Sequence, residues 1–189
     1  LDHVDYDEYH QAISIRSKAD KLEVPAFRVA GWHDALNGMD LDHYQKIMSQ
    51  PGKEELKSNC RFMVGPWAHA AFMPYVGEMD FGMSASGLLL ELKRGLTPLQ
   101  LQWFDYWLKG IDNGILDEPP VKIFVMGQNQ WRAEREWPLA RTQYSKFYLH
   151  GNGQANSSRG DGGLSTEAPG DEPADSFTYD PADPVPTTG

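Results

Sequence analysis

VPAFRVAGWHD, residues 24–34, passes from an apolar, β-branched run through a glycine to an aspartate. Its first seven residues read as a buried strand, with Pro25 at the start, where a missing backbone donor does least harm, and Gly31 as the end. CRFMVGPWAH, residues 60–69, repeats the pattern: CRFMV (60–64) is a strand stopped by Gly65-Pro66, and the stretch closes on His69. Between the two, MDLDHYQKIMSQ (39–50) spaces Met39, Leu41, Tyr44, Ile47 and Met48 at near-helical intervals until Pro51-Gly52 stops it. Strand, helix, strand implies a right-handed crossover between two parallel strands, whose carboxyl ends share one edge of the sheet. Neighbouring strands are about 4.8 Å apart, so the loops leaving them can bring Asp34 and His69 into hydrogen-bond contact. Open α/β sheets place their ligands at that same edge.

Working outward, the first twenty residues read as a helical or irregular lead-in with Tyr6, Tyr9, Ile13 and Ile15 among acids. After His69 comes a Met-, Gly- and Ser-containing loop (70–87). A core helix follows, with Pro98 in its first turn, Leu99, Trp103, Trp107 and Phe104 on one stripe, and Gly110 as its cap. DEPPVKIFVMG (117–127) switches the period from helical to strand-like, and YSKFYLH (144–150) is a further strand. Residues 151–189 are rich in Gly, Ser, Pro and Asp, and read as surface loops with a short strand at DSFTYD and a linker-like end, PADPVPTTG. The composition shift near residue 117 sets the expected domain boundary.

The 189 residues carry a net charge of −10, unevenly placed. Four acids fall in residues 1–10 and seven in 151–189, where Arg159 is the one basic residue, while the middle of the chain is balanced. A basic face interleaved with aromatics is missing, so nucleic acid is excluded as a partner. No run approaches the roughly 18–20 apolar residues of a membrane span, and LDHVDYDEYH is unlike a signal peptide. The single cysteine, Cys60, forbids an internal disulfide and fits a reducing compartment, which gives cytoplasmic as the expected location.

An aspartate after one strand and a histidine after the next follow the chain order of the acid and base of an α/β-hydrolase triad. In that role Asp34 fixes the imidazole tautomer and His69 takes and returns the proton. Taken alone, the ordinary explanation is favoured, with Asp34 a turn or cap residue and His69 a structural histidine. A nucleophile inside the chain is hard to find. Ser84, in GMSASG (82–87), is not in a G-x-S-x-G elbow, has no strand before it and follows the histidine; Cys60 lacks an acid–base neighbour in sequence. If the triad is real, its serine lies upstream of residue 1. Asp40, Asp42 and His43 form D-L-D-H, but at a helix start acids simply complement the macrodipole, and no metal-binding spacing occurs, so no metal and no cofactor are expected.

Five stretches, VPAFRVAGWHDALNG, RFMVGPWAH, LQWFDYWLKG, PPVKIFVMGQNQWRAEREWP and YDPADPVPTTG, together resemble the middle section of the cocaine esterase and X-prolyl dipeptidyl-peptidase family of serine hydrolases, in family order and spacing. The cocaine-esterase-like branch is the most similar. The resemblance implies that Asp34 is the triad acid and His69 the base. It also implies that Leu36 lines the acyl pocket, where an aliphatic residue departs from the aromatic of cocaine esterase, whereas Trp67 is read as a packing residue. Fold class is then α/β: residues 1–20 as the end of a helical cap, 21–116 as the C-terminal part of an α/β-hydrolase parallel sheet, and 117–189 as the truncated start of a β jelly-roll domain. The serine elbow, the oxyanion-hole donors and most of the cap are absent from these 189 residues. The chain is therefore expected to be a fragment of a hydrolase acting on a small-molecule ester or amide, inactive in isolation. The alternative is a non-catalytic jelly-roll binding or structural module.

Overall fold

A computed structural model describes residues 3–157 and 159–184. The described residues divide into two compact units, one up to residue 140 and one from residue 141 onward. In the first, α1 (Glu8–Ile13) is capped by the Asp7 carboxylate, which accepts from the backbone N–H groups of Tyr9 and His10. A 3₁₀ segment, Arg16–Lys21, leads into β1 (Phe27–His33). Next come α2 (Asn37–Met48), the short helix α3 (Glu54–Asn59), which the sequence reading lacks, and β2 (Arg61–Ala68). β1 and β2 are parallel, with Phe27 opposite Arg61 and Gly31 opposite Gly65.

Both strands run further than the glycines suggested, because neither glycine is a terminator. A Cβ on Gly31 would sit 2.2 Å from the Trp67 carbonyl oxygen, and one on Gly65 would sit 2.4 Å from the Trp67 indole. These glycines let the backbones and the indole close up. Between the pairs Gly31–Gly65 and His33–Ala68, β1 contributes one residue and β2 contributes two, Pro66 and Trp67. This is a bulge, the position in a sheet interior where a proline is tolerated.

The hairpin β3 (Tyr75–Val76) and β4 (Met79–Asp80) and a 3₁₀ turn, Met83–Ala85, follow, and α4 (Leu96–Lys109) ends at Gly110 in the left-handed conformation, φ 68°. β5 (Val121–Val125) then adds parallel to β2, and β6 (Gln130–Glu134) adds antiparallel to β5, giving the order β1-β2-β5-β6. Beyond the composition shift near 117, β5 and β6 extend the same sheet, and the compact units divide at 140/141.

Helices cover both faces, as a parallel sheet requires. On one face Ala30, Phe62, Val64, Val121 and Ile123 pack on Tyr44 and Ile47 of α2. The Tyr44 and Phe62 rings stack at 4.7 Å. On the other, Phe27, Val29 and Met63 pack on Leu96, Leu99 and Trp103 of α4. Fully burying a side chain such as Phe62 contributes about 1.5–3 kcal/mol. Phe104, expected on the buried stripe, is exposed on the outer side of α4.

In the second unit β7 (Tyr148–His150) pairs antiparallel with β8 (Gly163–Ser165). YSKFYLH is thus strand only at its end. DSFTYD forms no strand. The last five residues of the linker-like PADPVPTTG, 185–189, lie outside the described residues, as do residues 1 and 2 at the start.

Candidate active site

Asp34 is the first residue after β1, and its carboxylate is held from two sides. The Leu36 backbone N–H donates to Oδ1 at 2.8 Å, closing an Asx turn that starts α2. From 35 residues away in sequence, His69 Nδ1 donates to Oδ1 and Oδ2, both at 3.1 Å. The Leu36 hydrogen bond foremost holds the Asp34 carboxyl below its ordinary value; burial opposes it, and the hydrogen bond and charge of His69 add to the lowering. Asp34 is an anion at neutral pH.

The Asp34 side chain is 16% exposed and that of His69 is 66% exposed. An inward acid under an outward base leaves Nε2 open, and it has no partner among the described residues. The histidine sits in the turn Ala68–Ala71, closed by the Ala71 N–H on the Ala68 carbonyl at 3.3 Å. Ala70 adopts φ 54° there, a left-handed conformation that costs a non-glycine residue about 1 kcal/mol. Trp67, fully buried two residues earlier, anchors the turn: its indole N–H donates to the Ala85 carbonyl at 2.7 Å, and its ring meets Phe72 edge-on at 5.2 Å.

Other residues singled out in the sequence have different tasks. Leu36 gives its N–H to the acid, and its side chain is exposed beside it. Asp42 accepts from Arg16 Nε at 2.8 Å and pairs with Lys46 at 3.2 Å, Asp40 accepts from Arg28 at 3.2 Å, and His43 contacts the same guanidinium. The D-L-D-H run thus ties α2 to β1 and to the segment before it. Ser84 lies in the turn 83–85, where its carbonyl accepts from the Trp131 indole at 2.7 Å. Cys60 is buried, and burial pushes its thiol above the ordinary value, which disfavours the thiolate a nucleophile needs.

An ionised acid hydrogen-bonded to Nδ1 of an imidazole, with Nε2 open at the carboxyl edge of a parallel sheet, has the geometry that the acid and base of a hydrolase triad require. Comparison with known proteins agrees with that class. Residues 1–71 match the family profile described as X-Pro dipeptidyl-peptidase (S15 family), and residues 113–188 match the X-Pro dipeptidyl-peptidase C-terminal non-catalytic domain. Cocaine esterase from Rhodococcus sp. (strain MB1 Bresler) is 38% identical over 189 residues, covering all of this chain and 31% of the esterase. The crystal structure of an aminopeptidase from a marine sediment archaeon, Thaumarchaeota archaeon, superposes with a TM-score of 0.67 at 25% identity, covering 96% of this chain and 28% of that one. The chain belongs to the X-Pro dipeptidyl-peptidase and cocaine esterase family of serine hydrolases, and it spans about a third of the length of these relatives.

Proposed function

We propose that this chain supplies the acid and the base of a serine hydrolase that cleaves a small-molecule ester or amide through an acyl-enzyme. The observation that carries the reading is His69 Nδ1 at 3.1 Å from both oxygens of the Asp34 carboxylate. With Nδ1–H engaged, the neutral ring presents the lone pair of Nε2 outward, the tautomer a general base needs. His69 takes the proton of a serine hydroxyl as that oxygen attacks the substrate carbonyl, then gives it to the leaving alcohol or amine. Asp34, ionised throughout, stabilises the imidazolium formed between the two transfers. Water repeats the sequence to release the acid. Leu36, exposed beside the carboxylate, lines the acyl pocket.

The serine belongs to a part of the full-length protein other than residues 1–189, since Ser84 contributes a carbonyl to packing and Cys60 is buried. In that protein residues 1–20 end a helical cap, 21–116 form the C-terminal part of the hydrolase domain, and 117–189, whose first strands β5 and β6 extend the hydrolase sheet, begin a jelly roll. The profile match beginning at residue 113 supports the last boundary.

A fluorophosphonate probe, which reacts with activated serines, tests this reading. The full-length protein is expected to take up one equivalent on a serine outside residues 1–189, and the 189-residue chain none. Stoichiometric labelling of a serine within the chain, or no labelling of the full-length protein, refutes it.

A further inference from the structure

Trp32 and Trp67 each stand two residues ahead of one member of the pair, Trp32 before Asp34 and Trp67 before His69. Each directs its indole N–H to a backbone carbonyl at 2.7 Å, Trp32 to Phe124 in β5 and Trp67 to Ala85 in the turn 83–85. That turn also offers the Ser84 carbonyl to the indole of Trp131 in β6, again at 2.7 Å. The rings of Trp67 and Trp131 lie 5.6 Å apart, and Trp131 meets Phe124 edge-on at 5.4 Å. Both braces therefore end on the β5–β6 hairpin, which falls within the residues matching a non-catalytic domain.

The Phe124 carbonyl is free for Trp32 because of a proline. The Phe62 N–H donates to the Pro120 carbonyl at 2.8 Å, and a parallel ladder advances two residues at a time. Carried forward, the donor facing Phe124 is residue 66. Residue 66 is Pro66, which has no N–H. The indole of Trp32 takes the vacant acceptor, and the loop carrying Asp34 is thereby tied to β5 across the end of β2.

We infer that the β5–β6 hairpin is a positioning element for the acid–base pair, acting on Asp34 through Trp32 and on His69 through Trp131 and Trp67. The inference rests on the proposed hydrolase reading. Neither Trp32 nor Trp131 touches the reacting atoms in this role; each fixes the backbone from which an acid or base projects. Displacing such a group by about 1 Å lowers rate by up to about a hundredfold while leaving substrate binding largely intact.

The test compares steady-state ester hydrolysis by the full-length protein and its variants. Trp32→Phe and Trp131→Phe each delete one N–H and keep an aromatic ring. Pro66→Ala leaves every indole N–H in place and, at the cost of two buried ring carbons, restores a backbone donor that competes with Trp32 for the Phe124 carbonyl. All three are expected to lower kcat, by about tenfold for the tryptophan variants and about threefold or more for Pro66→Ala, with KM within about twofold of wild type. Trp107→Phe, whose indole N–H has no partner, serves as the control and keeps wild-type kcat. A kcat within twofold of wild type in all three variants overturns the inference, whatever happens to their Tm. Should a tryptophan variant fail to fold, Pro66→Ala decides alone. His69→Ala is measured alongside. If it keeps its turnover, the hydrolase reading has failed, and the hairpin is judged instead by the downfield proton resonance of His69 Nδ1 in Pro66→Ala, which reports on the pair whether or not it is catalytic: a shifted or lost signal supports the brace, and an unchanged one overturns it.

Discussion

Gly65→Ala tests how tightly the strand behind His69 is packed. The added Cβ would lie 2.4 Å from two indole atoms of Trp67 and 2.5 Å from a third. Trp67 cannot swing away cheaply, because it is fully buried between Phe72 and Trp131 and its N–H is bound to Ala85. Overpacking of this kind costs about 1–3 kcal/mol, and losing the indole hydrogen bond about 1 more. Restricting the unfolded chain offsets up to about 1 kcal/mol, leaving a net loss of about 1–4, with a midpoint of about 2.5. In a unit of this size that lowers Tm by about 5–10 °C. Gly38→Ala is the internal reference, since Gly38 lies in the first turn of α2 with nothing within 4 Å of an added Cβ. There the same chemical change should stabilise by about 0.5–1 kcal/mol. Thermal unfolding followed by circular dichroism at 222 nm reads both. A Gly65→Ala protein melting within about 2 °C of wild type would refute the packing argument.

Burial pushes the Tyr44 phenol up to about 12, so one of the eight tyrosines should resist ionisation in a 295 nm titration until about that pH. Because the unfolded phenol ionises near 10, Tyr44 contributes stability fully below about pH 10 and loses it as pH rises toward 12, so Tyr44→Phe should blunt alkaline unfolding. Cys60 should be unreactive toward a disulfide reagent in the native chain and react with one equivalent in denaturant, since its thiol is buried and its ionisation suppressed. With the Asp34 carboxyl held below its ordinary value, its contribution is complete above about pH 4 and disappears as pH falls through its folded value. Asp34→Asn should therefore lose less stability than wild type between pH 5 and about pH 3 in urea unfolding.

The crossover was legible in the sequence because each of its parts is local: two β-branched runs, an amphipathic segment and a Pro-Gly stop between them. Parallel strands then put Asp34 and His69 on one edge without further information. The strand ends were misread for a tertiary reason. Gly31 and Gly65 look like terminators in one dimension, whereas their lack of a side chain serves Trp67, whose path is set by a bulge that exists only once β1 and β2 pair. The three indole hydrogen bonds were equally hidden, since Trp32 and the Phe124 carbonyl it reaches are 92 residues apart. Phe104 has the spacing of a buried residue on α4, but the sheet covers only the stripe of Leu96, Leu99 and Trp103. DSFTYD alternates like a strand, yet alternation gives no strand without a neighbour to pair with.

The central claim, that Asp34 and His69 are a working acid and base, is tested most directly by steady-state turnover of an ester by the full-length protein beside its His69→Ala and Asp34→Asn variants. Removing the base is expected to lower kcat by about 10³-fold or more, and Asn at position 34, which favours the wrong imidazole tautomer, by a similar factor, with KM changed only a few-fold in each. A His69→Ala protein that keeps more than about a tenth of wild-type kcat would contradict the claim.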